Sequence, residues 1–457
     1  MYTQSASVDV PFRIRLGWGV GSLGTITYLN VVSALIVLYL TTVVKIDPAL
    51  AGVLVTAVRL IDAFSDPLMG WITDRTQTRW GRRRPYLLLG ALVCGASLPL
   101  VYSVHAWAPA ELAPFAVFAV LVVYSLGFTV FNVPYLTMPV EMTTDRIARL
   151  SVISYRSMFM MLGSVLGSAA APALLDKVLG RDGNGYAKLG LLAGGFVFVA
   201  MLLAFFGTKG ARASNEPTPH LPVRQQIAAV LDNKPFMLLV GMKVLQFIAL
   251  ALNTGALAFF VTMVLKKDLT IISFFAISTV AMLIVSIPFW RWAGRFITKR
   301  TGLMIGIAGM TVGTLLWLLI TPENSRLILA LRGAFEGFFA AAILLFGQAI
   351  WLDAIDYDQQ RTGLRREGMY TSIYVFVERL GYSIGPLLLG VLLQIFDFNK
   401  NLPVEQQPAS AETAIIASMV WLPALAWGLS IIFLWFYRLP ERLDAEPRAA
   451  GSALAAT

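Results

Sequence analysis

Two carboxylates, Asp62 and Asp66, stand four residues apart inside an apolar stretch running from about Leu50 to Ile72. At helical spacing they share one face. A charge at bilayer depth costs at least ~2.5 kcal/mol, so acids kept there as a pair face a wet cavity and hold an ion or a proton. The chemistry they predict is cation binding inside a membrane. Asp74, Arg75, Arg79, Arg82, Arg83 and Arg84 follow at once. Lys and Arg collect in short cytoplasmic loops, so this block marks the loop after the acid-bearing helix as cytoplasmic.

Acids of this kind need a membrane protein to position them, and the composition supplies one. Of 457 residues, 57% are hydrophobic and 14% charged, against roughly 25% charged in a typical soluble domain. Mean hydropathy is +0.72. The formal charge of +10 would suggest nucleic acid in a soluble protein, but here the basic residues sit in loops between apolar runs. They report topology and contact with anionic headgroups. One cysteine, Cys94, and two histidines leave little for disulfide, redox or zinc chemistry.

The first apolar run, about Leu16 to Val44, is too long for a signal-peptide core and has no small-residue cleavage pattern, so it reads as a retained span. Runs long enough for ~30 Å of hydrocarbon recur near 50–73, 85–104, 112–138, 151–176 and 187–207. A polar segment, Lys209 to Lys234, breaks the chain at its midpoint. Six more runs follow, near 236–265, 271–293, 302–320, 327–352, 370–395 and 412–437. The predicted fold class is an all-α membrane protein with twelve transmembrane helices. Its parts are a six-helix half over 1–208, a central cytoplasmic loop over 209–234, a second half over 235–440 and a tail over 441–457. The basic loops alternate, which predicts both termini on the cytoplasmic side. WITDRTQTRWGRRRP after the second span has a weaker counterpart in WRWAGRFITKRTG after the eighth. Two six-span halves with parallel symmetry are the layout of major facilitator carriers, whose substrates bind near the midplane between halves.

Three longer motifs carry a resemblance: the D-x-x-x-D-P-x-x-G run with its following GRRRP, NVPYLTMPVEMTTDRIARLSVISYRS from Asn132 to Ser157, and DAIDYDQQRTGLRREGMY from Asp353 to Tyr370. Together they resemble the glycoside-pentoside-hexuronide:cation symporters, of which the melibiose carrier is the best known. The resemblance implies that Asp62 and Asp66 are cation-site carboxylates, that Thr129 completes the site, and that Ser65 stands where the melibiose carrier has an asparagine. Oxygen ligands of this kind suit a hard cation, and the coupling ion stays open between sodium and a proton. On the substrate side it implies Thr25, Tyr28, Asn132, Arg156, Gln348, Tyr374 and Arg379. The melibiose carrier's two sugar-binding aspartates are replaced here by Thr25 or its neighbour Ile26 and by Asn132, and Leu136 takes the place of a tryptophan. An amide can still pair with sugar hydroxyls, while Arg156 and Arg379 suit an anionic substrate or a poised cation site.

Each feature also has a plainer reading. Asp62 and Asp66 could form a structural ion pair with Arg59 or Arg379, and Arg379 could pair with Glu378 or a neighbouring span. Glu336 is a substrate or proton group, or the partner of Arg332 one turn away. Gly17, Gly19, Gly21 and Gly24 follow no strand and read as close helix packing, not as a phosphate loop. Asp74 with Arg82, Arg83 and Arg84 reads as a cytoplasmic gate between the halves. Trp71, Trp80, Trp290 and Trp292 read as interfacial anchors. No G-x-S-x-G, H-E-x-x-H or P-loop is present, which argues against an enzyme or an ATP-driven pump. The resulting expectation is a symporter of the cytoplasmic (inner) membrane, monomeric and without a cofactor beyond its coupling ion. It would take up a sugar, glycoside or related small solute and bind no nucleic acid. A carrier of lysophospholipids or other amphipathic solutes is the alternative, and a channel the competitor from another class.

Overall fold

The structure, a computed structural model, describes residues 10–143, 146–211, 232–323, 326–362, 367–403 and 406–437. Among these, twelve helices are long and apolar enough to cross a membrane. We number them α1 (Phe12–Thr42), α2 (Pro48–Thr73), α3 (Arg84–Tyr102), α4 (Ala113–Pro139), α5 (Ser151–Leu179), α6 (Gly183–Gly207), α7 (Lys234–Val264), α8 (Thr270–Ala293), α9 (Lys299–Leu319), α10 (Arg326–Arg361), α11 (Ile373–Ile395) and α12 (Ala409–Phe436). The apolar runs located these spans to within a few residues. The largest departure is α10, whose helix continues to Thr362 through the polar segment after Trp351.

Small residues let the helices of the first half approach closely. A Cβ on Gly17 would lie 2.5 Å from the Cα of Gly207 on α6, and one on Gly24 would meet Met201 at 2.9 Å. This is the packing role expected of the glycine-rich start of α1. Trp290 departs from expectation. It is 3% exposed and its indole N–H donates to the Phe338 carbonyl at 2.7 Å, so it fastens α8 to α10 and is no interfacial anchor.

The two halves repeat one another in their loops. α1 and α7 both end in a lysine with left-handed backbone, Lys45 at φ 63° and Lys266 at φ 50°. In each case the next N–H closes back on the carbonyl six residues earlier, Ile46 on Leu40 at 2.9 Å and Lys267 on Val261 at 3.0 Å. Both helix ends thus close with the same wide turn around a left-handed residue, and an acid follows directly after each, Asp47 and Asp268. At the opposite, basic end the repeated loops are also tied alike. Arg82 and Arg83 converge on Glu141, and Lys299 grips both carboxylate oxygens of Asp353 at 2.7 and 2.8 Å.

The halves meet along α2 with α11, α5 with α8 and α1 with α7. Bonds across this seam include Thr56 to the Ser383 carbonyl, the Ala49 N–H to Gln394, and Ser273 to the Ala169 carbonyl. Two ion pairs follow the same pseudo-symmetry: Lys177 after the core of α5 with Asp268 before α8, and Lys400 after α11 with Asp47 before α2. All of these lie toward the end remote from the basic loops. Exposed pairs contribute only ~0.2–1 kcal/mol each, so close backbone contact must do most of the closing. A Cβ on Gly52 would come 2.5 Å from the Pro386 carbonyl, and one on Gly390 would overlap the carbonyl of Pro48. Gly390→Val should therefore open this end. In a protein carrying Asp47→Cys and Lys400→Cys, it should cut cross-link yield at least about fivefold, a shift of ~1 kcal/mol. An unchanged yield would show that the glycine contact does not govern closure.

Candidate cation and substrate site

The acid pair predicted from spacing lies in the seam between the halves. Asp62, 3% exposed, accepts from Ser125 on α4. Asp66 accepts from the Thr129 hydroxyl at 2.7 Å, and that hydroxyl also lies 3.2 Å from Ser65. Asp62, Ser65, Asp66 and Thr129 thus form one cluster of oxygens. Pro67 within α2 has no N–H, so the helix leaves the main-chain carbonyl of residue 63 without its usual donor.

Sequence reasoning did not single out Ser125. Its signal was available, because Ser125 and Thr129 are four apart on α4 in the same way that their partners are four apart on α2. Two hydroxyl–carboxylate rungs result.

Arg379 closes the cluster from the other half. Its guanidinium forms an ion pair with Asp66 through Nη2 and holds Nη1 3.9 Å from Asp62. Nη1 has no hydrogen-bond partner. Arg59 takes a different path and donates to Ser33 at 3.3 Å. It lines a narrow cleft between the halves, together with Tyr124, Thr254 and Tyr382. Among the described residues, one half therefore brings two acids and three hydroxyls to the seam and the other brings their counter-charge.

The remaining expected residues divide. Tyr374 on α11 packs its ring against Phe247 and Trp351 of its own half. Arg156 on α5 leaves its Nε without a partner. Asn132 is half-buried and Gln348 exposed. Thr25 and Tyr28 depart from their expected place. Thr25 is 3% and Tyr28 0% exposed, because the Tyr28 hydroxyl is bound between Ser97 and the Tyr124 carbonyl and its ring stacks on Tyr124 at 4.2 Å. Both serve packing within the first half in this conformation. Glu336 binds Arg332 at 2.7 Å, and that guanidinium lies 4.4 Å from the centre of the Trp317 ring. The pair is a contact within α10, set against the Trp317 ring of α9.

The expected gate is also placed differently. Arg82 and Arg83 bind Glu141. Arg84 donates to the Phe205 carbonyl and stacks on the Phe205 ring at 4.7 Å. Both partners, Glu141 and Phe205, belong to the first half, so among the described residues the arginines brace their own half in this conformation. The side chain of Asp74 lies outside the described residues.

Residues 17–441 match the model of the family described as MFS/sugar transport protein. The chain is 26% identical over 449 residues to the isoprimeverose transporter of Lactiplantibacillus pentosus, covering 96% of this chain and 92% of that one. It is 28% identical to the putative glycoside/cation symporter YagG of Escherichia coli (strain K12), covering 96% and 95%. Among solved structures, a bacterial homolog of the human lysosomal transporter Spinster, in an inward-facing and unoccupied conformation, superposes with a TM-score of 0.67 at 15% identity, covering 94% of this chain and 99% of that one. The last comparison shows the fold alone. The chain belongs to the MFS/sugar transport protein family, within the glycoside-pentoside-hexuronide:cation symporters of the major facilitator superfamily.

Proposed function

We propose that this protein couples inward movement of sodium or protons to uptake of a sugar, glycoside or related small solute across the inner membrane by alternating access. One observation carries the reading: Arg379 of the second half clasps the acid pair of the first, amid hydroxyls suited to a hard cation. Without cation, the arginine neutralises the acids. An arriving cation takes over those oxygens, or a proton neutralises them, and the guanidinium is freed. Occupancy of one half is thereby read by the other. Because the coupling is a free energy between two sites, substrate and cation each raise the affinity for the other.

The basic loops are taken as cytoplasmic. The far-end seam is then the external gate in its closed state, and the space beside Asp62 and Asp66 opens inward. Asn132 and Arg156, on the helices facing that space, are assigned to substrate.

Asp62→Asn and Asp66→Asn should each reduce gradient-driven accumulation in proteoliposomes at least tenfold while protein level and substrate exchange persist. Uphill accumulation by both variants would refute the coupling role. Asn132→Ala and Arg156→Ala should weaken substrate binding about tenfold, the size expected for one lost hydrogen bond to a charged or buried group, with cation binding changed less than twofold. Equal substrate binding by calorimetry would take both residues out of the site.

A further inference from the structure

Lys243 on α7 escaped the motif analysis, and the structure gives it an unusual setting. It lies nine residues beyond Lys234, about 13 Å of helix rise, and is half-buried. Its ammonium stands 3.7 Å from where a Cβ on Gly347 of α10 would be and 6.0 Å from the centre of the Phe247 ring. Among the described residues it makes no ion pair and no hydrogen bond. Glu378, on α11, is the opposite charge that acts on it, without closing to contact. The charges acting on Glu378 are in turn Arg379, Lys243 and Arg156. Arg379 is already committed to Asp66, which leaves two cations, from α5 and α7, around one carboxylate.

Unmet hydrogen-bond groups of the cations that act on Glu378 have the same sign. Arg156 Nε and Arg379 Nη1 are buried and have no acceptor. Counting Asp62 and Asp66, these three cations and three acids balance until a cation or proton loads the acid pair; the loaded site then has surplus positive charge as well as surplus donors, and lacks an anion. A neutral sugar would supply acceptors through its hydroxyls but leave the charge unanswered. A carboxylate or sulfonate meets both needs, in short charge-assisted bonds.

We propose that Lys243 is a specificity-determining residue that binds an anionic group, carboxylate or sulfonate, on the transported sugar. This rests on the symporter reading above and sharpens it. Cation loading at Asp62 and Asp66 frees Arg379, raises the positive potential of the same site, and so favours entry of the anion. Glu378, the opposite charge that acts on Lys243, competes with the substrate for it.

The full-length carrier, purified in detergent, is titrated by calorimetry with three methyl glucosides that differ only at C6: CH2OH, carboxylate, and CH2-sulfonate. Wild type should bind at least one of the anions at least tenfold more tightly than the neutral sugar, and the two anionic arms say which. Lys243→Met should erase that preference, weakening the anion at least tenfold and the neutral sugar less than twofold, with Lys243→Arg restoring part of it. Glu378→Gln should keep or raise the preference, since it removes the competitor. Equal or tighter binding of the neutral sugar by wild type, no binding of either anion, or a preference that survives in Lys243→Met overturns the proposal. So does matched loss for anion and neutral sugar in both Lys243→Met and Glu378→Gln, the pattern of a structural pair. Cation binding without sugar tests symport separately: if it is absent while the anion preference stands, the symporter reading fails and Lys243 keeps its role.

Discussion

The interaction on which the molecule turns is the clasp of Arg379 on Asp62 and Asp66. Two acids four residues apart on a membrane helix cannot remain charged without an answer, and here the answer comes from the other half of the chain. With an effective dielectric of ~20, two unit charges at the 3.9 Å separating Arg379 from Asp62 attract by about 4 kcal/mol. Desolvation of the buried charges offsets part of that attraction. The clasp is therefore a place where a cation, by substituting for the guanidinium, can alter the balance between conformations.

The rest of the fold presents the clasp reversibly. Within each half, glycine contacts and loop ties make a stiff unit: Gly17 against Gly207, Arg82 and Arg83 on Glu141, Lys299 on Asp353. Between halves the bonds are fewer and mostly involve main-chain carbonyls or exposed charge. Stiff halves with a weak seam move as bodies. The pseudo-symmetry reaches down to single residues, with Lys45 and Asp47 at the end of α1 repeated by Lys266 and Asp268 at the end of α7.

Much of this was legible in the sequence, and for physical reasons. Apolar run length is set by bilayer thickness, so the spans could be located, and helical periodicity put Asp62 and Asp66 on one face. The hydroxyl at Thr129 came through family resemblance, whereas Ser125 went unseen although it has the same spacing. What could not be read was contact between distant segments. Nothing local distinguishes Trp290, which is buried on α8, from Trp292, which is exposed two residues later. Tyr28 came with the substrate residues that the resemblance implies, but its hydroxyl binds Ser97 and the Tyr124 carbonyl. The arginines after α2 looked like a latch because they are many and basic, yet Arg82 and Arg83 bind Glu141 of their own half. Lys243 was passed over because one lysine hardly lowers the hydropathy of a long span.

The most direct test of the clasp is cation affinity in the carrier without sugar, wild type against Arg379→Gln, with sodium followed by calorimetry and protons by uptake onto the protein at fixed pH. If the guanidinium and the cation compete for the same oxygens, removing the guanidinium should tighten binding of the coupling cation at least tenfold. Unchanged or weaker binding in Arg379→Gln would contradict the account, because Arg379 would then be holding the site together and not occupying it.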